Sequence, residues 1–145
     1  MGCVRPFTEE TWFSAARTSS VTGLSLDSDA LISLDRNERR FVLLFDKVLA
    51  SGFRITIPTT ALAQAMRNPA RQARLSRLIR EPLTDLMDLD EADAIAVGKL
   101  LARSATSDIV DAHVVVCARK RGQPVVISDP DDLRRLAPEL DLIVL

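Results

Sequence analysis

The strongest constraint on the fold is a continuous apolar run, AHVVVCA, at residues 112–118. A helix that is apolar on most sides must be buried on most sides, so the sequence predicts layers of structure packed around it. The segment that leads into this run, TSDIVDAH, places Asp108 and Asp111 three residues apart where the helix begins. Carboxylates at this spacing are neighbours, with Cβ atoms roughly 5–6 Å apart, and they repel each other unless a cation lies nearby.

Two interpretations of this pair are open. A hard divalent cation such as Mg²⁺ or Mn²⁺ prefers carboxylate oxygens and would hold the two side chains together. Alternatively, Asp108 caps the helix and Asp111 occupies its first turn, where the positive end of the helix dipole favours negative charge. Taken alone, the pair favours capping, and the rest of the chain has to decide.

Length and composition narrow the class of protein. A chain of 145 residues is long enough for one domain with a proper core. Its net charge of −1 excludes a surface coated in basic residues, so any nucleic-acid contact must use a local patch. Cys3 and Cys117 lack metal-type spacing, and free thiols are typical of a reducing cytoplasm. With no secretory signal and no segment of membrane-spanning length, we expect a soluble cytoplasmic protein.

Strands and helices alternate along the chain with short connections. Residues 1–22 show no sustained periodicity, and we expect an N-terminal extension that is disordered in part, followed by one domain at residues 23–145. The strand candidates are residues 24–26, 53–57, 83–87, 125–127 and 142–145. This alternation predicts an α/β fold with a mainly parallel sheet, whose ligand crevice lies at the carboxyl ends of the strands.

Acidic residues follow two of these strands. Asp27 ends the first strand, and Asp129 follows the continuous apolar strand at residues 125–127. Each is also a good helix start, so capping is again the alternative. Asp27 and Asp129 would then lie at the same edge of the sheet as Asp108 and Asp111. Carboxylates that converge without His, Ser or Cys partners suit metal-assisted hydrolysis of a phosphodiester, and we interpret His113 as structural.

A run of arginines follows the second strand. After a helix that carries Gln64, a further helix beyond Pro69 is predicted to present arginines along one side. The residues concerned are Arg67, Arg71, Arg74, Arg77 and Arg80. Three interpretations are open: the stripe holds RNA phosphates, it is a solvated face, or it binds an acidic partner.

Three segments together resemble a known family. LDSDALISLDR, TSDIVDAHVV and VVISDPDDLRRL are similar to the three acidic blocks of the PIN-domain family, and most similar to its VapC-type toxins from bacterial toxin–antitoxin pairs. The resemblance covers residues 23–145. It implies a three-layer α/β/α sandwich and an endoribonuclease that depends on Mg²⁺ or Mn²⁺. It also implies frequent homodimers and a cognate antitoxin that covers the site.

The resemblance assigns site residues one at a time. Asp27, Asp111 and Asp129 match the three family acids, and Asp108 matches a further acid at the helix start. Of these, Asp27, Asp108 and Asp111 are the expected metal ligands, with Asp129 in support. Asp131 is an additional candidate.

The chain also departs from the family pattern. Gln64 stands where the family usually has Glu, and Asp29 replaces a small residue, which would restore the lost charge. Ile127 stands where Thr often precedes the last acid.

The resulting hypothesis is a metal-dependent ribonuclease toxin in which Arg67, Arg71, Arg74 and Arg77 guide RNA. One alternative is a degenerate PIN-like module that binds RNA or protein without cleaving, an idea that Gln64 keeps open. Another is a phosphoacceptor domain of receiver type, which would need adjacent acids after the first strand and a Lys after a late strand. Neither feature is evident near Val126.

Overall fold

A computed structural model of the chain describes the backbone of residues 4–6 and the whole of residues 23–145. Within these ranges, six strands form one sheet in which every neighbouring pair is parallel. The strands are β1 (Val4–Pro6), β2 (Gly23–Leu26), β3 (Arg54–Pro58), β4 (Thr84–Met87), β5 (Val125–Ile127) and β6 (Leu142–Val144). Their order across the sheet is β1-β6-β5-β2-β3-β4.

Helices fill the connections between the strands. In the described part of the chain they are α1 (Ser28–Asp35), α2 (Arg39–Ala50), α3 (Thr59–Ala65), α4 (Ala73–Leu78), α5 (Glu91–Ser104), α6 (Ile109–Arg121) and α7 (Asp131–Leu136), with a 3₁₀ turn at Pro69–Arg71. None of these helices combines the length and hydropathy needed to cross a bilayer.

Both faces of the sheet are covered. All four residues of β2 and all three of β5 are buried, although alternate residues of a strand face opposite sides. The helix α6 packs on β2 and β3, and its residues 112–118 are buried throughout. The structure therefore confirms the α/β/α sandwich and the burial predicted from the apolar run.

Strand β2 is fastened at its start by a close approach of backbone. A Cβ atom on Gly23 would lie 2.3 Å from the carbonyl oxygen of Arg54 and 2.7 Å from Nε2 of Gln123, so only glycine fits. The buried hydroxyl of Ser25 then donates to Oε1 of Gln123 at 3.0 Å. These contacts fix the strand that ends at Asp27.

The first strand is a difference from the sequence prediction. Residues 4–6 were assigned to the extension, but their backbone pairs in parallel with β6 at the edge of the sheet. A three-residue segment is too short to show a period of two, and Pro6 is tolerated because an edge strand leaves one side unpaired. Residues 1–3 and 7–22, the remainder of the predicted extension, lie outside the described residues.

Candidate active site

Two of the predicted acids follow the strands at which the strand order reverses. From β2 the chain first builds β3 and β4 on one side, then returns to add β5 on the other side of β2. Ligands of open parallel sheets bind at such a switch point, outside the carboxyl ends of the strands. Asp27 follows β2 directly, and Asp129 lies two residues beyond the end of β5.

Asp27 is the buried member of the site. Its residue is 3% exposed, and one carboxylate oxygen accepts the backbone N–H of Ala30 at 2.8 Å, which caps α1. Burial raises the pKa of Asp27 to about 7, and the negative charges of Asp29 and Asp111 act in the same direction. A carboxyl group at this position is therefore difficult to ionise without a compensating cation.

Asp111 and Asp108 sit at the start of α6, as predicted. Oδ1 of Asp108 accepts the backbone N–H of Asp111 at 3.0 Å and so caps the helix. Burial is the largest cause that raises the pKa of Asp111 to about 6. The negative charges of Asp108, Asp132 and Asp29 act in the same direction. The two interpretations of this pair are thus compatible, because Asp108 caps the helix and also contributes to a concentration of negative charge.

We call these residues the acidic cluster. Its members are the carboxylates whose charges act on one another: Asp27, Asp29, Asp108, Asp111 and Asp132. Within the described ranges no Lys or Arg pairs with the first four, and Asp132 reaches only Arg135 of its own helix, at 3.9 Å. Uncompensated carboxylate oxygens are the donor set that Mg²⁺ and Mn²⁺ prefer. The residues therefore fit a hard divalent cation.

The cluster is nevertheless not a ready-made metal cage. In the part of the chain that the structure describes, no three His, Cys, Asp or Glu side chains converge closely enough to hold a metal ion.

The acid after β5 that acts on Asp111 is Asp132, which the sequence analysis missed. Asp129 is exposed, and its Oδ1 accepts the backbone N–H of Asp131 at 3.2 Å in the turn into α7, whose N-cap residue is Pro130. Asp131 is exposed in the first turn of α7. The segment SDPDD offered three acids, and only the phase of α7 determines which of them acts on α6.

Gln64 lies with arginines. It is exposed on α3 and lines a groove of 420 Å³ together with Arg67 and Arg71. Its amide makes no hydrogen bond to other described residues. The structure thus associates Gln64 with the basic surface beside α1, whereas the resemblance placed it among the acids.

The predicted arginine helix is wrong in its extent. Arg71 belongs to the 3₁₀ turn and Arg80 lies beyond the end of α4. The backbone of Gln72 is non-helical (φ −109°, ψ 57°), which separates the turn from α4. As a result, Arg74 and Arg77 line a different groove, of 250 Å³, against α2.

His113 and Cys117 are both buried in the core. This position fits the interpretation of His113 as a structural residue. His113 is fully buried, and its Nδ1 lies 2.7 Å from the hydroxyl of Thr60, which joins α6 to α3. Burial lowers the pKa of His113 and raises that of Cys117 to about 12, so both side chains are neutral at physiological pH.

The match to a family model agrees with this arrangement. The PIN domain model matches residues 24–138, which is most of the chain. The chain belongs to the PIN domain family. A search of curated protein sequences found no significant match.

Solved structures similar to this PIN domain agree in fold. VapBC2 from Rickettsia felis, bound to a DNA fragment from its promoter, aligns with a TM-score of 0.60 at 14% identity, covering 84% of this chain and 98% of that one. FitAB bound to an IR36 DNA fragment aligns with a TM-score of 0.61 at 13% identity, covering 83% of this chain and 94% of that one. FitAcB from Neisseria gonorrhoeae aligns with a TM-score of 0.59 at 14% identity, covering 83% of this chain and 96% of that one.

Proposed function

We propose that this PIN domain is a metal-dependent endoribonuclease and the toxin of a bacterial toxin–antitoxin system. The observation that carries the proposal is the acidic cluster: carboxylates without basic partners among the described residues, one of them buried, at the switch point of a parallel sheet. Family membership supports nuclease chemistry, and the similar folds of VapBC2 and FitAB support the toxin assignment.

Asp27, Asp108 and Asp111 would hold Mg²⁺ or Mn²⁺. When bound, such a cation lowers the pKa of a water molecule and offsets charge on the scissile phosphate. The hydrogen bond from Ala30 fixes one oxygen of Asp27 and so orients the carboxylate. The charges of Asp29 and Asp132 add to the attraction for a cation at this edge, although neither needs to touch it.

Cleavage of single-stranded RNA by purified protein in Mn²⁺, free of any partner protein, is the direct test. We expect Asp27→Asn and Asp111→Asn each to lower the rate on the order of 100-fold or more, because each removes a charged ligand. Circular dichroism and a urea titration would establish that both variants remain folded.

Asp90→Asn is the matched control. Asp90 caps α5 by accepting the backbone N–H of Asp93 at 2.8 Å, the same role that Asp27 and Asp108 play for their helices. It lies outside the acidic cluster, so its substitution should leave cleavage unchanged. Full activity in a folded Asp27→Asn or Asp111→Asn variant would contradict the proposal.

A non-cleaving module that binds RNA or protein is the second candidate function. The exposed position of Gln64 beside arginines, where the family usually has Glu, favours it. RNA binding by a chain that neither binds Mn²⁺ nor cleaves would decide for this alternative.

The proposed toxin has two macromolecular partners besides RNA. One is a cognate antitoxin, and the other is a second copy of the chain in a homodimer. Co-expression with the product of an adjacent small gene, followed by light scattering of the complex and of the free chain, tests both.

A further inference from the structure

A second polar surface lies beside the far end of α1. Here α1, α3 and the segment that joins α3 to α4 surround the groove of 420 Å³ that contains Gln64. Its charged and amide side chains are Asp35, Arg36, Gln64, Arg67, Asn68, Arg71 and Gln72. We call this surface the Gln64 groove.

The groove is basic, and its arginines have no acidic partners. Arg36, Arg67 and Arg71 form no ion pair with any residue that the structure describes. By contrast, Arg54, the first residue of β3, pairs with the carboxylate of Asp85 at 3.0 Å. The groove's one carboxylate, Asp35, accepts a hydrogen bond from the side chain of Gln72 at 3.2 Å.

Gln72 holds the groove together. The residue is 8% exposed, and its Oε1 accepts the backbone N–H groups of Arg67 at 2.7 Å and Asn68 at 2.9 Å. Its Nε2 donates to Asp35 and to the carbonyl of Ala65. One buried amide thus joins the end of α1, the end of α3 and the arginine-bearing loop, with its full hydrogen-bonding capacity used.

Arg67 is fixed as well. Its guanidinium donates from one nitrogen to the carbonyl oxygens of Ala63 at 2.9 Å and Met66 at 3.0 Å, which satisfies groups at the end of α3. Its remaining N–H donors are available. An arginine held in this way loses less side-chain entropy on binding an anion than a freely rotating one.

We propose that the Gln64 groove binds backbone phosphates of single-stranded RNA a few nucleotides from the scissile bond, with Gln72 as the residue that positions its arginines. This inference rests on the proposed function. Asp27 and Asp35 lie at opposite ends of α1, about 12 Å apart at 1.5 Å per residue, which the RNA backbone spans readily.

The chemistry of the lining favours RNA over an acidic protein segment. Guanidinium groups match phosphate oxygens with paired donors. The amides of Gln64 and Asn68 add neutral donors and acceptors, which suit ribose hydroxyls and exposed base edges. A purely acidic ligand would leave those acceptors unused.

The test is equilibrium binding of fluorescein-labelled oligouridylate to the full chain carrying Asp111→Asn, which prevents cleavage, across a series of salt concentrations. Arg36→Gln and Arg71→Gln should each weaken binding about 3- to 10-fold and lower the salt slope by about 0.7, the value for one lost phosphate contact on a single strand. Arg119→Gln is the control of equal charge change, since Arg119 already pairs with Glu139.

The role of Gln72 is tested by a rescue. Gln72→Glu keeps an oxygen for the loop N–H groups but repels Asp35, so RNA binding should weaken, and adding Asp35→Asn should restore most of it. Ser76→Ala removes a 3.4 Å hydrogen bond from α4 to the carbonyl oxygen of Pro69 and should have no effect. Urea unfolding of the single and double variants separates the two explanations, because a positioning role predicts weaker RNA binding by Gln72→Glu under conditions where that variant is fully folded.

Unchanged affinity in both arginine variants would overturn the inference, as would equal weakening by Arg119→Gln. Loss of binding to polyglutamate with unchanged RNA binding would also overturn it and assign the groove to an acidic protein. Because binding is measured without cleavage, failure of the proposed nuclease activity would appear separately, as an inactive parent chain whose RNA binding still depends on the groove.

Discussion

The acidic cluster and the Gln64 groove lie at opposite ends of α1 and are built in different ways. The carboxylates are placed by regular structure, because Asp27 follows a strand and caps a helix and Asp111 lies in the first turn of another helix. The arginines are placed by an irregular loop that one buried amide, Gln72, holds in shape. The first arrangement concentrates like charge at a cost in stability, whereas the second is stabilised by its own hydrogen bonds.

The largest expected effect of this difference is on Asp27. Its pKa is raised to about 7 by burial, against about 3.9 in an unfolded chain. Between these values the unfolded state has lost the proton that the folded state keeps, so stability falls as the pH rises through this window. Asp27→Asn keeps the helix cap and removes the charge. Without divalent cations above neutral pH, it should raise the free energy of unfolding by about 2–4 kcal/mol, at about 1.36 kcal/mol per pKa unit.

Urea unfolding of parent and variant at about pH 5 and about pH 8 measures this effect. The gain should be small at the lower pH and large at the higher one. Asp90→Asn, at an equivalent cap on α5 outside the acidic cluster, is the matched control. If Asp27→Asn were less stable than the parent at the higher pH, the acidic cluster would not be a cost in stability, and the two regions would not differ in this way.

A substitution in the Gln64 groove should lower the free energy of unfolding, whereas Asp27→Asn should raise it. Gln72→Ala leaves the N–H groups of Arg67 and Asn68 without their acceptor. We expect the free energy of unfolding to fall by about 1–3 kcal/mol at any pH between these limits. Ser76→Ala, in the neighbouring helix α4, should change the free energy of unfolding by less than about 0.5 kcal/mol. A pH-dependent loss would show that the two regions are electrostatically coupled.

The acidic cluster could be predicted from the sequence in large part, whereas the loop that forms the Gln64 groove could not. Alternation of strands and helices predicted the sheet, its edge and the positions of Asp27, Asp108 and Asp111, because strand ends and helix caps are local features. The break at Gln72 was not predictable, since it depends on contacts with Asp35, 37 residues away. Strand β1 was missed because an edge strand of three residues has no detectable period.

The smallest expected effect distinguishes two neighbouring acids. The charge of Asp132 raises the pKa of Asp111, whereas the carboxylate of Asp129, which the sequence favoured, accepts the backbone N–H of Asp131 in the turn before α7. Asp132→Asn should therefore lower the pKa of Asp111 by a fraction of a unit. Asp129→Asn should leave it nearly unchanged. Carbon-detected NMR titration of the Asp111 carboxyl group measures both, and a larger shift with Asp129→Asn would reverse the assignment.

The central claim is that the acidic cluster binds a divalent cation. Isothermal titration of Mn²⁺ into the purified chain, freed of any partner, tests it most directly, with Asp27→Asn, Asp111→Asn and Asp90→Asn titrated in parallel. The account predicts binding to the parent and to Asp90→Asn that both cluster substitutions abolish. No binding to the parent, or equal binding by the Asp27→Asn and Asp111→Asn variants, would contradict it.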